Sequence, residues 1–315
     1  MRLALVSWCV IIPFCNQVCG QEQQGDFQFF PVPNLKFNFD RDVPFKQADF
    51  GDDFLRQIVG DRDQQKQQLA RIEVSKADES KLGKNQFSLF AKKLRSQRIG
   101  LTDKGKDVAY LHQLINKLRP LMTNRDRYDS ISIYVADSPL TDARSFPGGT
   151  IVVFRGLLKF VTNEAALVGI LGHELSHLDR QHQLEQFKNS LLAQQTIKGG
   201  VNDYRQFAGF SQVMMNSFMT PYALDQEKEA DLDGCRWAFQ AGYDPLELAD
   251  IFRRLNDRFP NRQNQAPSFL RSHPYHIDRF MAIRDEGRKL IKTAPDKQLI
   301  RGRENLRRRQ AHQRS

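Results

Sequence analysis

The segment His173-Glu174-Leu175-Ser176-His177 carries the side chains with the most chemistry to offer. On a helix, positions i and i+4 lie one turn apart on one face, so the two imidazoles reach a single metal ion while Glu174 projects beside it to hold a water. The flanking residues suit a helix, because Leu167, Val168, Leu171, Leu175 and Leu178 form an apolar stripe on another face. A catalytic metal site needs a third protein ligand and an open position. Fifty residues beyond His177, the segment Glu227-Lys228-Glu229-Ala230-Asp231 offers it. Glu227 and Asp231 share a helix face, so one can bind the metal while the other orients a ligating histidine; Glu229 falls on a different face and is expected to be solvated. The competing readings are two exposed histidines on an amphipathic helix, and an acidic helix N-terminus that satisfies its own dipole.

These residues need elements to hold them. Helix formers dominate Gln64 to Arg98, with Leu69, Ile72, Lys76 and Glu79 as a weak stripe. Asp103 to Leu121 is a clearer helix, closed by Pro120. Two strands follow, Ser130 to Ala136 and the β-branched Thr150 to Phe154, the second directly after Pro147-Gly148-Gly149. The rest reads as helices over Asn163–Gln181, Leu184–Ile197, Tyr204–Met219, Asp225–Ala241, Pro245–Phe259 and His276–Ile291. A small sheet among many helices is an α+β fold.

Several segments, taken in order, resemble the zinc metallopeptidase family that includes the CAAX prenyl endopeptidases, HtpX and periplasmic BepA. Phe146 to Val153 with Gly156-Leu157-Leu158 is similar to that family's strand and turn. Asn163 to Gly172 is similar to its lead-in to the His-Glu-x-x-His motif, and Glu227-xx-Ala230-Asp231 to its third-ligand motif. Ala241-Gly242-Tyr243-Asp244-Pro245 and Ser272-His273-Pro274 with Arg279 match its later elements. The match runs from about Asp103 to Ile291 and is nearest the soluble BepA-like branch. The resemblance implies a mostly helical zincin-type domain with one Zn2+ per chain, ligands His173, His177 and Glu227, and Glu174 as general base. It places His273 near the metal, either filling the open position or stabilising the oxyanion, and Arg279 in the same cleft as the other candidate catalytic oxyanion donor, with Asp231 orienting a ligand. Two departures stand out. Asp142-Ala143-Arg144 replaces the usual Asn-Ala-Phe/Trp, and Tyr222-Ala223-Leu224 replaces Tyr-Ser-Arg, leaving the acidic helix without its usual basic neighbour. The strand Thr150, Ile151, Val152 and Val153, or the segment just before it, is expected to pair with an extended substrate by edge addition, favouring unfolded polypeptides.

Composition agrees with an envelope enzyme. With 40% hydrophobic and 27% charged residues in 315, whole-chain disorder is excluded. Arg2, the apolar run Leu3 to Phe14 and Val18-Cys19-Gly20 read as a cleaved signal segment (1–20), so the mature protein is expected in the periplasm or outside the cell. Lipid attachment at Cys19 competes, but Asn16, Gln17 and Val18 suit it poorly. Residues 21–63 read as a Phe/Pro/Gln-rich extended arm and 64–296 as the helical lead-in and catalytic domain. The tail 297–315 reads as a disordered basic appendage for anionic surfaces. Lys297 to Ser315 supplies +6 of the net +10 charge, so no nucleic-acid partner is expected. The expected function is zinc-dependent hydrolysis of peptide bonds in unfolded or misassembled proteins. The alternative is a non-catalytic chaperone or binding module that keeps its zinc for structure.

Overall fold

The structure, a computed structural model, describes residues 69, 71–189, 222–258, 273 and 277–313. The signal segment, the arm and the expected helix at Tyr204–Met219 lie outside the described residues.

Ser75 starts the first described long helix by accepting the N–H of Asp78, so α1 spans Lys76–Ser96 and residues 72–75 interrupt the helical stretch expected from Gln64. Its buried face is Glu79, Leu82, Gly83, Gln86, Phe90, Ala91 and Leu94 rather than the stripe through Leu69, Ile72 and Lys76. There follow β1 (Leu101–Thr102), α2 (Lys106–Leu118), β2 (Ser132–Ala136), β3 (Ala143–Phe146), β4 (Thr150–Phe154) and the short α3 (Arg155–Phe160). The sheet order is β1-β2-β4-β3, with β4 parallel to β2 and antiparallel to β3. Gly148 and Gly149 have φ of +77° and +90°, the left-handed backbone that reverses β3 into β4.

The helix that carries the His-Glu-x-x-His motif, α4 (Glu164–Asp179), begins where Asn163 accepts the N–H of Ala166, and all of its residues are buried. It is enclosed by the sheet on one side and by α5 (Leu224–Gln240), α6 (Leu246–Arg258) and α2 on others. Helix α7 (Ile277–Thr293) packs on α5 and α6. The fold is α+β, as expected, and the ends of α4, α5, α6 and α7 fall within about two residues of the sequence reading.

The C-terminal segment departs from expectation. Residues 297–313 are docked rather than disordered: Ile300 pairs with Tyr243, and α8 (Arg303–Arg308) buries Leu306. The carbonyls of Gly302 and Arg301 accept the N–H groups of Glu164 and Ala165, the first turn of α4. Those donors have no partner within their own helix, so the segment caps α4 from outside. Tyr110, Tyr243 and the His312 amide all donate to the buried Glu164 carboxylate, at 2.8–2.9 Å. Arg309 pairs with Asp107. The segment's positive charge hid these contacts, because charge runs are ordinarily solvated.

Candidate metal centre

α4 carries His173, Glu174 and His177, and α5 brings Glu227 and Asp231 against it. Glycines allow the close approach: a Cβ on Gly172 would stand 2.9 Å from Gly234 Cα, and one on Gly234 would stand 2.6 Å from the Gly169 carbonyl oxygen. The Nε2 atoms of His173 and His177 are 3.0 Å apart. Glu227 oxygens lie 3.6 and 3.7 Å from them. His273 Nδ1 lies 3.1 Å from His173 Nε2 and 2.8 Å from Glu227 Oε1. One atom from each of these four buried residues falls within 4.8 Å of all the others.

This arrangement suits a cation. His173 Nδ1 sits 2.9 Å from Asp231 Oδ1, and His177 Nδ1 sits 2.9 Å from His182 Nδ1. Asp231 draws the His173 proton to Nδ1, so the His173 Nε2 lone pair points into the cluster toward His177 Nε2, where a cation would be favoured. Tetrahedral coordination with bonds of about 2.0–2.1 Å spaces its ligand atoms about 3.3 Å apart, and the separations here bracket that value. Three imidazoles and a carboxylate form a donor set that zinc accepts.

Glu174 flanks the cluster. Its Oε2 accepts from Ser145 Oγ at 2.9 Å, and Gln183 Nε2 donates to that same hydroxyl at 2.8 Å. Its Oε1 makes no hydrogen bond and lies 3.3 Å from His273 Nε2. Burial raises the Glu174 pKa most, but His273, His173 and Ser145 together outweigh it and hold the carboxyl below the usual value, so Glu174 is an anion able to take a proton. Burial, reinforced by the neighbouring histidines, pushes His177 well down, keeping it neutral. For His273 burial acts downward, yet Glu227 and Glu174 overcome it and raise the pKa to about 10. Without a metal, an imidazolium at this position supplies the positive charge the carboxylates need.

Arg279 is fully buried. It donates to both oxygens of Asp231, at 2.7 and 2.9 Å, and pairs with Glu227 Oε2 at 2.8 Å. Burial would raise the Asp231 pKa, but Arg279 and His173 together outweigh it and lower the value to about 2. The expectation that Arg279 faces the cleft as an oxyanion donor is therefore corrected: its guanidinium stands behind the carboxylates and positions them. It is also a basic neighbour for the acidic helix, which the segment before Glu227 lacks.

A second correction concerns the substrate edge. Thr150, Ile151, Val152 and Val153 lie in β4, which is paired on both sides, by β2 and β3. An incoming strand has no vacant hydrogen-bonding edge there. Among the described residues the outer strand on that side is β3, the segment just before β4, and its Ser145 donates to Glu174.

Sequence reasoning did not single out Ser145, Gln183 or His182, and it named Tyr222 only as part of a departure from the family pattern. The Tyr222 ring stacks on His177 with centroids 3.8 Å apart. The signal for His182 was its place five residues after His177; nothing in the spacing said that the chain folds back there.

A model of peptidase family M48 matches residues 98–287. The chain belongs to peptidase family M48. The M48 match spans every element from β1 to most of α7. Among curated proteins the chain is 25% identical over 154 residues to the mitochondrial metalloendopeptidase OMA1 of Schizosaccharomyces pombe, covering 49% of this chain and 45% of that one. It is 29% identical over 172 residues to a putative beta-barrel assembly-enhancing protease of Vibrio cholerae, covering 49% and 34%. The OMA1 metalloendopeptidase of Bos taurus is 30% identical over 162 residues, covering 47% and 30%. The chain thus spans less than half the length of these relatives.

Proposed function

We propose that this M48 chain is a zinc-dependent endopeptidase that cleaves unfolded or misassembled proteins of the cell envelope. The observation that carries the reading is the convergence of His173, His177, Glu227 and His273 within 4.8 Å, with Glu174 Oε1 beside them, 3.3 Å from His273 Nε2. His173, His177 and Glu227 would hold the zinc, and His273 would take the remaining position at rest and leave it when substrate enters. Bound zinc supplies Lewis acidity, polarising the scissile carbonyl and acidifying water. Glu174, oriented by Ser145 and Gln183, takes a proton from the attacking water and delivers it to the leaving amine. An extended polypeptide would add as a strand beside β3, the outer strand of the sheet among the described residues, which selects chains with unpaired backbone. Among the described residues no helix is long and apolar enough to cross a membrane. Envelope location rests on the signal-like residues 1–20 and on the likeness to beta-barrel assembly-enhancing proteases. Arg307 and Arg308, with side chains largely exposed although both pair with Glu304, keep contact with anionic surfaces within the proposal.

The test is digestion of an unfolded protein by wild type and Glu174→Gln, with metal content measured on both. Wild type should hold about one zinc and cleave. The variant should hold the zinc and fail to cleave. Equal cleavage by both would remove Glu174 from the chemistry, and a wild type that binds zinc but never cleaves would leave a binding module.

A further inference from the structure

We propose that His182 and Glu229 form a hydrogen-bonded relay that fixes the metal-binding tautomer of His177, an inference that rests on the zinc reading above. α4 stops at Asp179, and Gln181 adopts φ +59°, a left-handed conformation that a non-glycine side chain adopts at a cost of about 1 kcal/mol. That turn starts the helical segment 182–189 by folding His182 back over the ligand it has just left, with the two ring centroids 5.0 Å apart.

The proton assignment follows from the partners. His182 Nε2 lies 3.2 Å from Glu229 Oε2. An ionised carboxylate only accepts, so His182 carries its proton on Nε2. His182 is 2% exposed, and its Nδ1 and that of His177, 2.9 Å apart, share a single proton between them. A neutral ring with Nε2 protonated presents a lone pair at Nδ1. His177 Nδ1, 2.9 Å away, must then donate, which leaves His177 Nε2 with the lone pair a metal requires.

The acceptor is itself held in place. Arg180 Nη1 lies 3.4 Å from Glu229 Oε2, and the same guanidinium donates to both oxygens of Asp233, at 2.6 and 3.2 Å. Asp233 also accepts from Ser176 inside the motif, at 2.7 Å. The two ligating histidines are therefore oriented differently. His173 donates straight to a carboxylate on α5, whereas His177 reaches one through an intervening imidazole. Glu229 is half exposed and turned from Glu227, as its helical position requires, yet His182 connects it to the site.

The experiment measures zinc affinity by chelator competition and the visible absorption spectrum of the cobalt-substituted protein, on wild type, His182→Phe, His182→Gln and Glu229→Ala. Removing a partner that orients a ligand weakens metal binding by about 10- to 100-fold. His182→Phe should fall in that range and shift the cobalt bands. His182→Gln, whose amide oxygen can accept the same proton, should recover most of the loss. Glu229→Ala should lose less than about tenfold, since water can replace a half-exposed carboxylate. Wild-type affinity and spectrum in His182→Phe would overturn the relay, as would a Gln variant no better than Phe. If His182→Phe does not fold, the other two variants decide: wild-type affinity in both Glu229→Ala and His182→Gln with unchanged spectra would overturn it. A wild-type protein that binds no zinc would refute the zinc reading and the relay with it, whereas a wild type that binds zinc without cleaving would refute only the peptidase.

Discussion

Gly234→Ala tests whether the spacing of two helices sets the metal site. The new methyl would stand 2.6 Å from the Gly169 carbonyl oxygen and 3.0 Å from the His173 amide nitrogen, both backbone atoms of α4. Ordinary contact begins near 3.4 Å, so α4 and α5 must part by about 0.8 Å. Overpacking of this kind costs about 1–3 kcal/mol, while alanine in place of glycine returns about 1 kcal/mol of helix propensity. The net stability loss is then only about 0–2 kcal/mol. The metal should feel far more, because ligand distances are tolerated to about ±0.2 Å and this displacement carries Glu227 away from His173 and His177. Zinc affinity should drop by at least tenfold and peptide cleavage by about a hundredfold. Urea unfolding of the metal-free protein and chelator competition separate the two effects. Gly172→Ala, 2.9 Å from Gly234 Cα, should behave more mildly, and Gly100→Ala, with nothing within 4 Å, should be neutral. A Gly234→Ala protein with wild-type zinc affinity would refute the reasoning, since the ligands would then be held by something other than helix approach.

Other outcomes follow from the same geometry. His273→Ala should raise basal cleavage if the imidazole occupies the open position at rest, and lower turnover about a hundredfold with zinc retained if it stabilises the oxyanion; kinetics within twofold of wild type would deny both. Deleting residues 300–315 removes the outer cap of α4 and the burial of Leu306. It should therefore cost about 3–6 kcal/mol, read as a lower urea midpoint, and diminish cleavage; unchanged stability would mean that the docking is incidental. Cys235 has its thiol pushed up to about 12 by burial, with Glu286 adding to it. Below pH 9 the thiol is neutral folded and unfolded and has no effect. As pH rises from 9 toward 12 only the unfolded state ionises, so stability should decline by up to about 1.4 kcal/mol per pH unit. Native protein at pH 8 should resist alkylation at Cys235 and lose that protection on unfolding, as mass spectrometry would read.

Periodic, apolar stretches were legible in the sequence, and so was any site residue that sits on one. α2, α4, α5 and α7 announce themselves by spacing, and His173, His177, Glu227 and Asp231 inherit their geometry from helix periodicity. β3 was not legible, because Ala143-Arg144-Ser145-Phe146 lacks β-branched residues and its pairing is decided by β4 beside it. That gap left the substrate edge undecided between β4 and the segment just before it. His182 and Ser145 depend on where a turn points and on a strand three dozen residues upstream, neither of which periodicity encodes. The docked tail was hidden by its charge, since Leu306 and Ala311 are sparse apolar residues among arginines and only the tertiary pocket that receives them makes them core.

The outer cap on α4 has a bearing on when the protein becomes active. The bonds that close the first turn of the motif helix join residues 164 and 165 to 301 and 302, and Asp107 waits for Arg309 about two hundred positions later. Contacts this distant in sequence form late, after the chain between them has been ordered. During synthesis the segment bearing His173 and His177 emerges long before its cap, with Glu227, His273 and residues 301–312 still to come. A nascent chain therefore carries the motif without a finished site. On the proposed function, proteolytic competence would arrive only once residues 301–312 have been made, which would spare the growing chain.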